Sequence, residues 1–197
     1  MSLSTELDYL MRSLSCVTYN GGQHTSIQIK ENDKKATLKT VTLKANNGDW
    51  FCFSPDDGRK CRNLHSRSNL TLMSPLLKIS ADFSHHCACD AVILFRQEDK
   101  LTILYIDLKS GNPKGYSPQF KSTRQFVRYL ISLCEEFSGI KMKIYRESYI
   151  VFHCGKSSIP KRTTIPDRSK IINSKPDNAY KREVKNNDTL YLKEFLE

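Results

Sequence analysis

The chain of 197 residues lacks any apolar run approaching the roughly 20 residues that a membrane-spanning helix needs. It also lacks a basic leader: MSLSTELDYLMRSL carries Glu6 and Asp8 where a secretory signal would carry positive charge, so it reads as a helix. No CxxC pair occurs among the seven cysteines (Cys16, Cys52, Cys61, Cys87, Cys89, Cys134 and Cys154), and no segment repeats. These absences exclude a bundle of membrane helices, a repeat array and a zinc module built on paired CxxC knuckles. An odd cysteine count without a leader points to reduced thiols and a cytoplasmic location.

Positive charge is abundant. Lys and Arg number 31 against 21 Asp and Glu, a formal net charge of +10. Such a surface favours polyanions, nucleic acid before anionic membrane. Hydrophobic residues make up 39% and charged residues 26%, the balance of a globular domain with a substantial core and, at this length, room for a tail.

The periodicity outlines an α/β chain. Leu3, Leu7, Leu10, Met11 and Leu14 recur at helical spacing over residues 3–16, with Ser4 as an N-cap, and Asn20-Gly21-Gly22 ends the helix. Residues 25–53 alternate as strands: TSIQIK, ATLKTVTLKA, a turn at Asn46-Asn47-Gly48, then DWFCF, together an added β layer. Residues 56–69 are polar and basic, a loop with room for a short helix. CDAVILF and LTILYIDLKS are apolar on both faces, as buried central strands are, and the charged RQEDK joins them as a five-residue turn. A helix follows, capped by Ser117 with Pro118 in its first position and Gly139 as its stop. Its apolar stripe is Phe120, Val127, Leu130, Ile131, Cys134 and Phe137. KMKIYRESYIVFHC is a further strand or bent pair. Residues 1–154 form one domain on this reading. From 155 to 197 three prolines, weak periodicity and ten Lys/Arg against six Asp/Glu predict a basic extended arm, with YLKEFL docking as a strand or short helix.

Chemistry concentrates at the ends of the two apolar strands. Asp107 and Lys109, two residues apart, share one face of the second strand. In a hairpin the start of the first arm lies beside the end of the second, which brings Asp90 to them. Two carboxylates are hard ligands suited to Mg²⁺ or Mn²⁺. A lysine beside them can orient water or stabilise a pentacovalent phosphate. The main-chain carbonyl of Leu108 can reach the same metal. Without further context the same residues also read as a surface ion pair of Asp107 and Lys109 at a strand end, with Asp90 in a turn.

Asp90, sixteen intervening residues and Asp107-Leu108-Lys109, set in strand–turn–strand–helix, resemble the PD-(D/E)XK nuclease superfamily. Cys89 stands where the family's Pro is usual, and Asp107 where its Glu is usual. The resemblance implies a restriction-endonuclease-like mixed central sheet flanked by helices, and metal-dependent hydrolysis of DNA phosphodiester bonds, with RNA a further substrate class. It implies catalytic roles for Asp90, Asp107 and Lys109 and a metal held by Asp90, Asp107, the Leu108 carbonyl and a Glu of the first helix, here Glu6. It also implies a Gln or Lys on the helix after the motif, here Gln119 or Lys121. Lys121, Arg124 and Arg128 lie away from that helix's apolar stripe and are candidates to line a phosphate backbone; an ordinary solvated face is the alternative. No base-reading motif is visible, so sequence specificity is not expected. A small unspecific nuclease calls for control by a protein partner or by oligomerisation, as in antiphage defence systems of similar arrangement.

Two readings of other kinds stay open. One is a catalytically inactive nucleic-acid-binding or assembly subunit with the same fold. The other is a zinc-stabilised module around His85-His86-Cys87-Ala88-Cys89, with Cys61, His65 and His153 as the only conceivable partners; core cysteines beside two edge histidines are its plain counterpart.

Overall fold

The computed structural model describes residues 3–14, 19–21, 25–46, 48–59, 73–74, 76–78, 82–155 and 166–196. The basic loop residues Lys60, Cys61, Arg62, His65 and Arg67 lie outside them, as does Cys16. Among the described residues nine strands form two sheets. The central sheet runs in the order β1 (Tyr19–Gly21), β4 (Asp49–Phe53), β5 (Ala91–Gln97), β6 (Lys100–Ser110), β7 (Lys143–Cys154) and β8 (Tyr180–Glu183). The smaller sheet is β2 (Ser26–Lys30), β3 (Thr40–Lys44) and β9 (Thr189–Tyr191). Pairing is antiparallel from β1 through β6 and parallel from β6 to β8, so the central sheet is mixed.

The doubly apolar character of CDAVILF and LTILYIDLKS follows from being covered on both sides. On one face, Val92, Leu94, Ile103 and Tyr105 pack with Leu7 and Leu10 of α1 (Thr5–Arg12) and with Phe120, Val127 and Ile131 of α3 (Tyr116–Ser138). On the other, Ile93, Leu104, Ile106 and Leu108 meet Ile27, Ile29, Val41 and Leu43 of the smaller sheet, with Ile171 of α4 (Arg168–Ile172) and Phe195 of α5 (Lys193–Leu196). The short α2 (Pro55–Arg59) follows β4. Among the described residues no helix is long and apolar enough to cross a membrane.

Several local expectations change. DWFCF belongs to the central sheet as β4, so the added layer is the β2–β3 hairpin alone, completed by a strand from the far end of the chain. The β5–β6 turn is two residues, with Glu98 at φ 58°, because strand pairing continues to Gln97 and Lys100. α3 starts at Tyr116 after Gly115, whose φ of 75° suits glycine, so Ser117 and Pro118 lie inside the first turn. Pro118 is tolerated there because first-turn N–H groups have no intrahelical acceptor. Phe137 lies on the solvent side, 78% exposed.

The larger correction concerns 155–197. Beyond Gly155 its described part, 166–196, is folded: β8 pairs with β7 over Ile150–His153, β9 pairs with β3 over Thr42–Lys44, and YLKEFL docks, as expected, through the end of β9 and α5. Strands of four and three residues bury too few side chains to print a periodicity, and their order comes from ladder bonds to strands distant in sequence.

Candidate active site

The two acidic residues of the hairpin meet as its register requires. Ala91 pairs with Ile106, which sets Asp90 opposite Asp107, and the Asp90 N–H donates to the Ile106 carbonyl at 3.1 Å. The Asp90 carboxylate then turns along β6 and accepts the Leu108 N–H at 2.6 Å through Oδ2. In an extended strand the N–H and C=O of one residue project to the same side. The Leu108 carbonyl therefore faces the Asp90 side as well, where β5 has ended.

Asp107 is fully buried and Asp90 is 5% exposed. Lys109 Nζ stands 2.7 Å from Asp107 Oδ2 and donates to Gln119 Oε1 on α3 at 2.7 Å. The contact with Asp107 is one of charge, without the angles of a hydrogen bond, and neither Asp107 oxygen has a hydrogen-bond partner. Below the pair, Cys89 donates its N–H to Thr123 Oγ1 of α3 at 3.0 Å, which anchors the start of β5 to the helix.

The electrostatics follow from this burial. Desolvation pushes the Asp107 carboxyl up to about 6, against the opposing pull of the Lys109 ammonium. Asp90 is held well above the usual carboxylate range, by burial first and by the Asp107 charge second, with the Leu108 N–H opposing. With Asp90 held protonated, Lys109 balances Asp107, and ionising both carboxylates together calls for a further cation. A divalent cation would supply that charge, and the carboxylate oxygens of Asp90 and Asp107 are the hard donors it takes. The donor set therefore fits Mg²⁺ or Mn²⁺ bound through two carboxylates and water. Among the described residues no three His, Cys, Asp or Glu side chains converge as a metal cage.

Glu6 does not join this centre. It sits on α1 with Oε1 3.1 Å from Arg96, whose strand partner is Leu101, near the turn end of the hairpin. Six residues of strand, about 20 Å, separate Leu101 from Asp107. The Ser4 N–H donates to Asp49 Oδ1 at 2.8 Å and fixes the start of α1 at that far end.

The acidic neighbour that the sequence reading missed is Glu31. It follows β2 on the face of Ile27 and Ile29, which point into the core. The loop after it is tied to the end of β6, where Ser110 Oγ accepts the N–H groups of Thr37 and Leu38 at 2.7 and 3.1 Å. The Glu31 charge is among the causes that raise both Asp90 and Asp107. Its Oε1 accepts the Asp33 N–H at 2.8 Å. The available signal was an acid continuing the alternation of Ile27 and Ile29 past the strand end.

The basic face of α3 also differs from expectation. Arg124 Nε and Arg128 NH2 lie 3.0 and 2.7 Å from Glu147 Oε2 on β7, and Tyr105 Oη donates to Glu147 Oε1 at 3.1 Å. Both arginines pair with this carboxylate while Arg128 keeps 42% of its side chain exposed, and Lys121 is exposed beside them. Around His85-His86-Cys87-Ala88-Cys89, His86 Nδ1 accepts the Met73 N–H at 3.1 Å, and His85 stacks on Phe83 with centroids 4.8 Å apart. Cys89 is buried and its thiol is raised by that burial. His153, on β7 beside Lys109 in register, is lowered by burial.

No protein-family model matches the chain, and neither a curated protein nor a solved structure matches it significantly.

Proposed function

We propose that this protein is a metal-dependent nuclease that hydrolyses DNA phosphodiester bonds at the Asp90–Asp107–Lys109 centre. The observation that carries this reading is the pair of buried carboxylates where β5 starts and β6 ends, with the Lys109 ammonium 2.7 Å from Asp107. Two buried acids side by side cost stability, and a bound cation would offset that cost.

Asp90, Asp107 and the Leu108 carbonyl would hold Mg²⁺ or Mn²⁺, and the Glu31 charge would add to the negative field there without joining them as a ligand. When bound, the ion supplies Lewis acidity and a more acidic water. The Leu108 N–H keeps the Asp90 carboxylate turned along β6. Lys109 presents its ammonium beside Asp107, where it can orient the attacking water or meet negative charge on the phosphate, and Gln119 steers that ammonium. The net charge of +10 supports a polyanionic substrate. DNA is preferred to RNA on the PD-(D/E)XK resemblance, which also motivates control by a protein partner or by self-association, and a role in antiphage defence.

The test is cleavage of supercoiled and linear DNA with Mn²⁺, Mg²⁺ or EDTA. Activity that needs metal and falls more than about 100-fold in Asp107→Ala and Lys109→Ala supports the reading. One observation favours a second reading, a non-catalytic DNA-binding subunit: no three metal-binding side chains converge among the described residues. That reading requires DNA binding that survives EDTA, with no cleavage under any metal.

A further inference from the structure

A second concave site lies between the two sheets at the opposite end of the β5–β6 hairpin. It encloses about 330 Å³, within the range of small-ligand sites. Its wall joins Lys44 of β3, Gly48 and Trp50 at the start of β4, Phe95 of β5, Tyr191 of β9 and Lys193 of α5. Phe95 pairs with Thr102, five residues of strand, or about 17 Å, from Asp107. The cleft is therefore separate from the acidic pair.

Its chemistry is cationic and aromatic. Lys44 Nζ and Lys193 Nζ stand 6.0 and 5.9 Å from the Tyr191 ring centroid, and Tyr191 is 49% exposed. Among the described residues neither lysine has a carboxylate partner, so two like charges flank one exposed ring. By contrast, Arg96 in the same wall is held by Glu6 at 3.1 Å and Asp49 at 3.6 Å, which makes it scaffold. The floor is firm: Trp50 is buried and its indole N–H donates to the Asn46 carbonyl at 3.0 Å. A Cβ at Gly48 would stand 3.4 Å from the Trp50 ring and 3.7 Å from the Phe95 ring, so the missing side chain keeps this corner open. α5 and β9 are braced by Glu194, which pairs with Arg182 at 2.6 Å and accepts the Tyr191 N–H at 3.3 Å.

An occupant that suits this wall has a flat apolar part and a compact anion a few ångströms apart. We propose that the cleft binds a nucleoside phosphate, its base against the Tyr191 and Phe95 side and its phosphate between Lys44 and Lys193. The anion would meet the two ammonium groups that have no carboxylate partner among the described residues, and the base would cover the exposed part of the Tyr191 ring. The same chemistry comes from a free nucleotide or from the phosphorylated end of a strand. The proposal does not depend on nuclease activity.

Trp50, the only tryptophan in the chain, lies in the wall and reports on the site. The experiment titrates the full-length protein in EDTA with dAMP and, separately, with a 5′-phosphorylated tetranucleotide, followed by Trp50 emission and calorimetry. Adenosine and inorganic phosphate serve as half-ligands. Saturable binding of dAMP is expected, weakened about tenfold, or ~1.4 kcal/mol, in Lys44→Ala and in Lys193→Ala. Asp107→Asn should bind dAMP as the wild type does. Saturable binding of the tetranucleotide alone, with the same dependence on both lysines, supports the site and assigns it to strand ends. The proposal is overturned if neither probe binds, if binding ignores both lysine variants while their melting curves match the wild type, or if inorganic phosphate binds as well as dAMP.

Discussion

At the scale of single residues, the acidic pair stores a conflict that metal would relieve. The Asp107 carboxyl rises from 3.8 to about 6 on folding, so the folded state takes up its proton more tightly than the unfolded chain. Stability from this group is present below pH 3.8 and is lost as pH rises through about 6. At pH 7 without metal, Asp107→Asn should therefore be more stable than the wild type, by about 1–3 kcal/mol. The gap should narrow between pH 7 and pH 5 in chemical melts. A gap that does not change with pH would locate the conflict elsewhere. Saturating Mn²⁺ should reverse the order, since 100-fold excess over Kd stabilises only the protein that binds it, by about 2.7 kcal/mol. Glu31→Gln should weaken Mn²⁺ binding about 10-fold or more by calorimetry, with a normal melt in EDTA. An unchanged affinity would leave Glu31 as a bystander charge.

At the scale of elements, α3 is clamped to β7 by one acid. Glu147 is 10% exposed and receives Arg124, Arg128 and Tyr105. Glu147→Ala strands these donors and should cost about 1–3 kcal/mol in a urea melt. Glu147→Gln retains an acceptor for Tyr105 but frees the two arginine charges. It should bind DNA more tightly at low salt, with a log–log salt slope steeper by about one to two. A slope equal to that of the wild type would mean that the arginines do not face the nucleic acid even when released. Helical spacing placed both arginines on one polar face correctly. Glu147, 23 positions beyond Arg124, was invisible as their partner because a strand register, not a local spacing, brings it there.

At the scale of the whole molecule, the last thirty residues complete both sheets. Asn186 Oδ1 accepts the N–H groups of Lys39 and Thr40 at 2.8 and 3.0 Å, and the Lys39 carbonyl in turn accepts the Glu31 N–H at 2.9 Å. The chain's end is thus connected to the loop beside the acidic pair. Ending the chain after residue 165 removes α4, β8, β9 and α5 and uncovers Phe152 and Val41. Such a truncation is expected to lose its cooperative thermal transition by circular dichroism. A truncation that melts like the full chain would restore the idea of an independent arm.

The sequence by itself determined the buried hairpin, the helix after it and the meeting of Asp90 with Asp107 and Lys109. These are local: one short turn and the two-residue alternation of strands dictate them. It also marked the polar face of α3 and the first helix. Tertiary structure alone decided that Glu6 faces Arg96, that the Glu31 charge is felt by the acidic pair, that Glu147 takes up the two arginines and that β8 and β9 extend the sheets. Each of those depends on contacts between segments far apart in the chain. Their energy comes from apolar burial and edge ladder bonds that leave no periodic trace in strands of three or four residues.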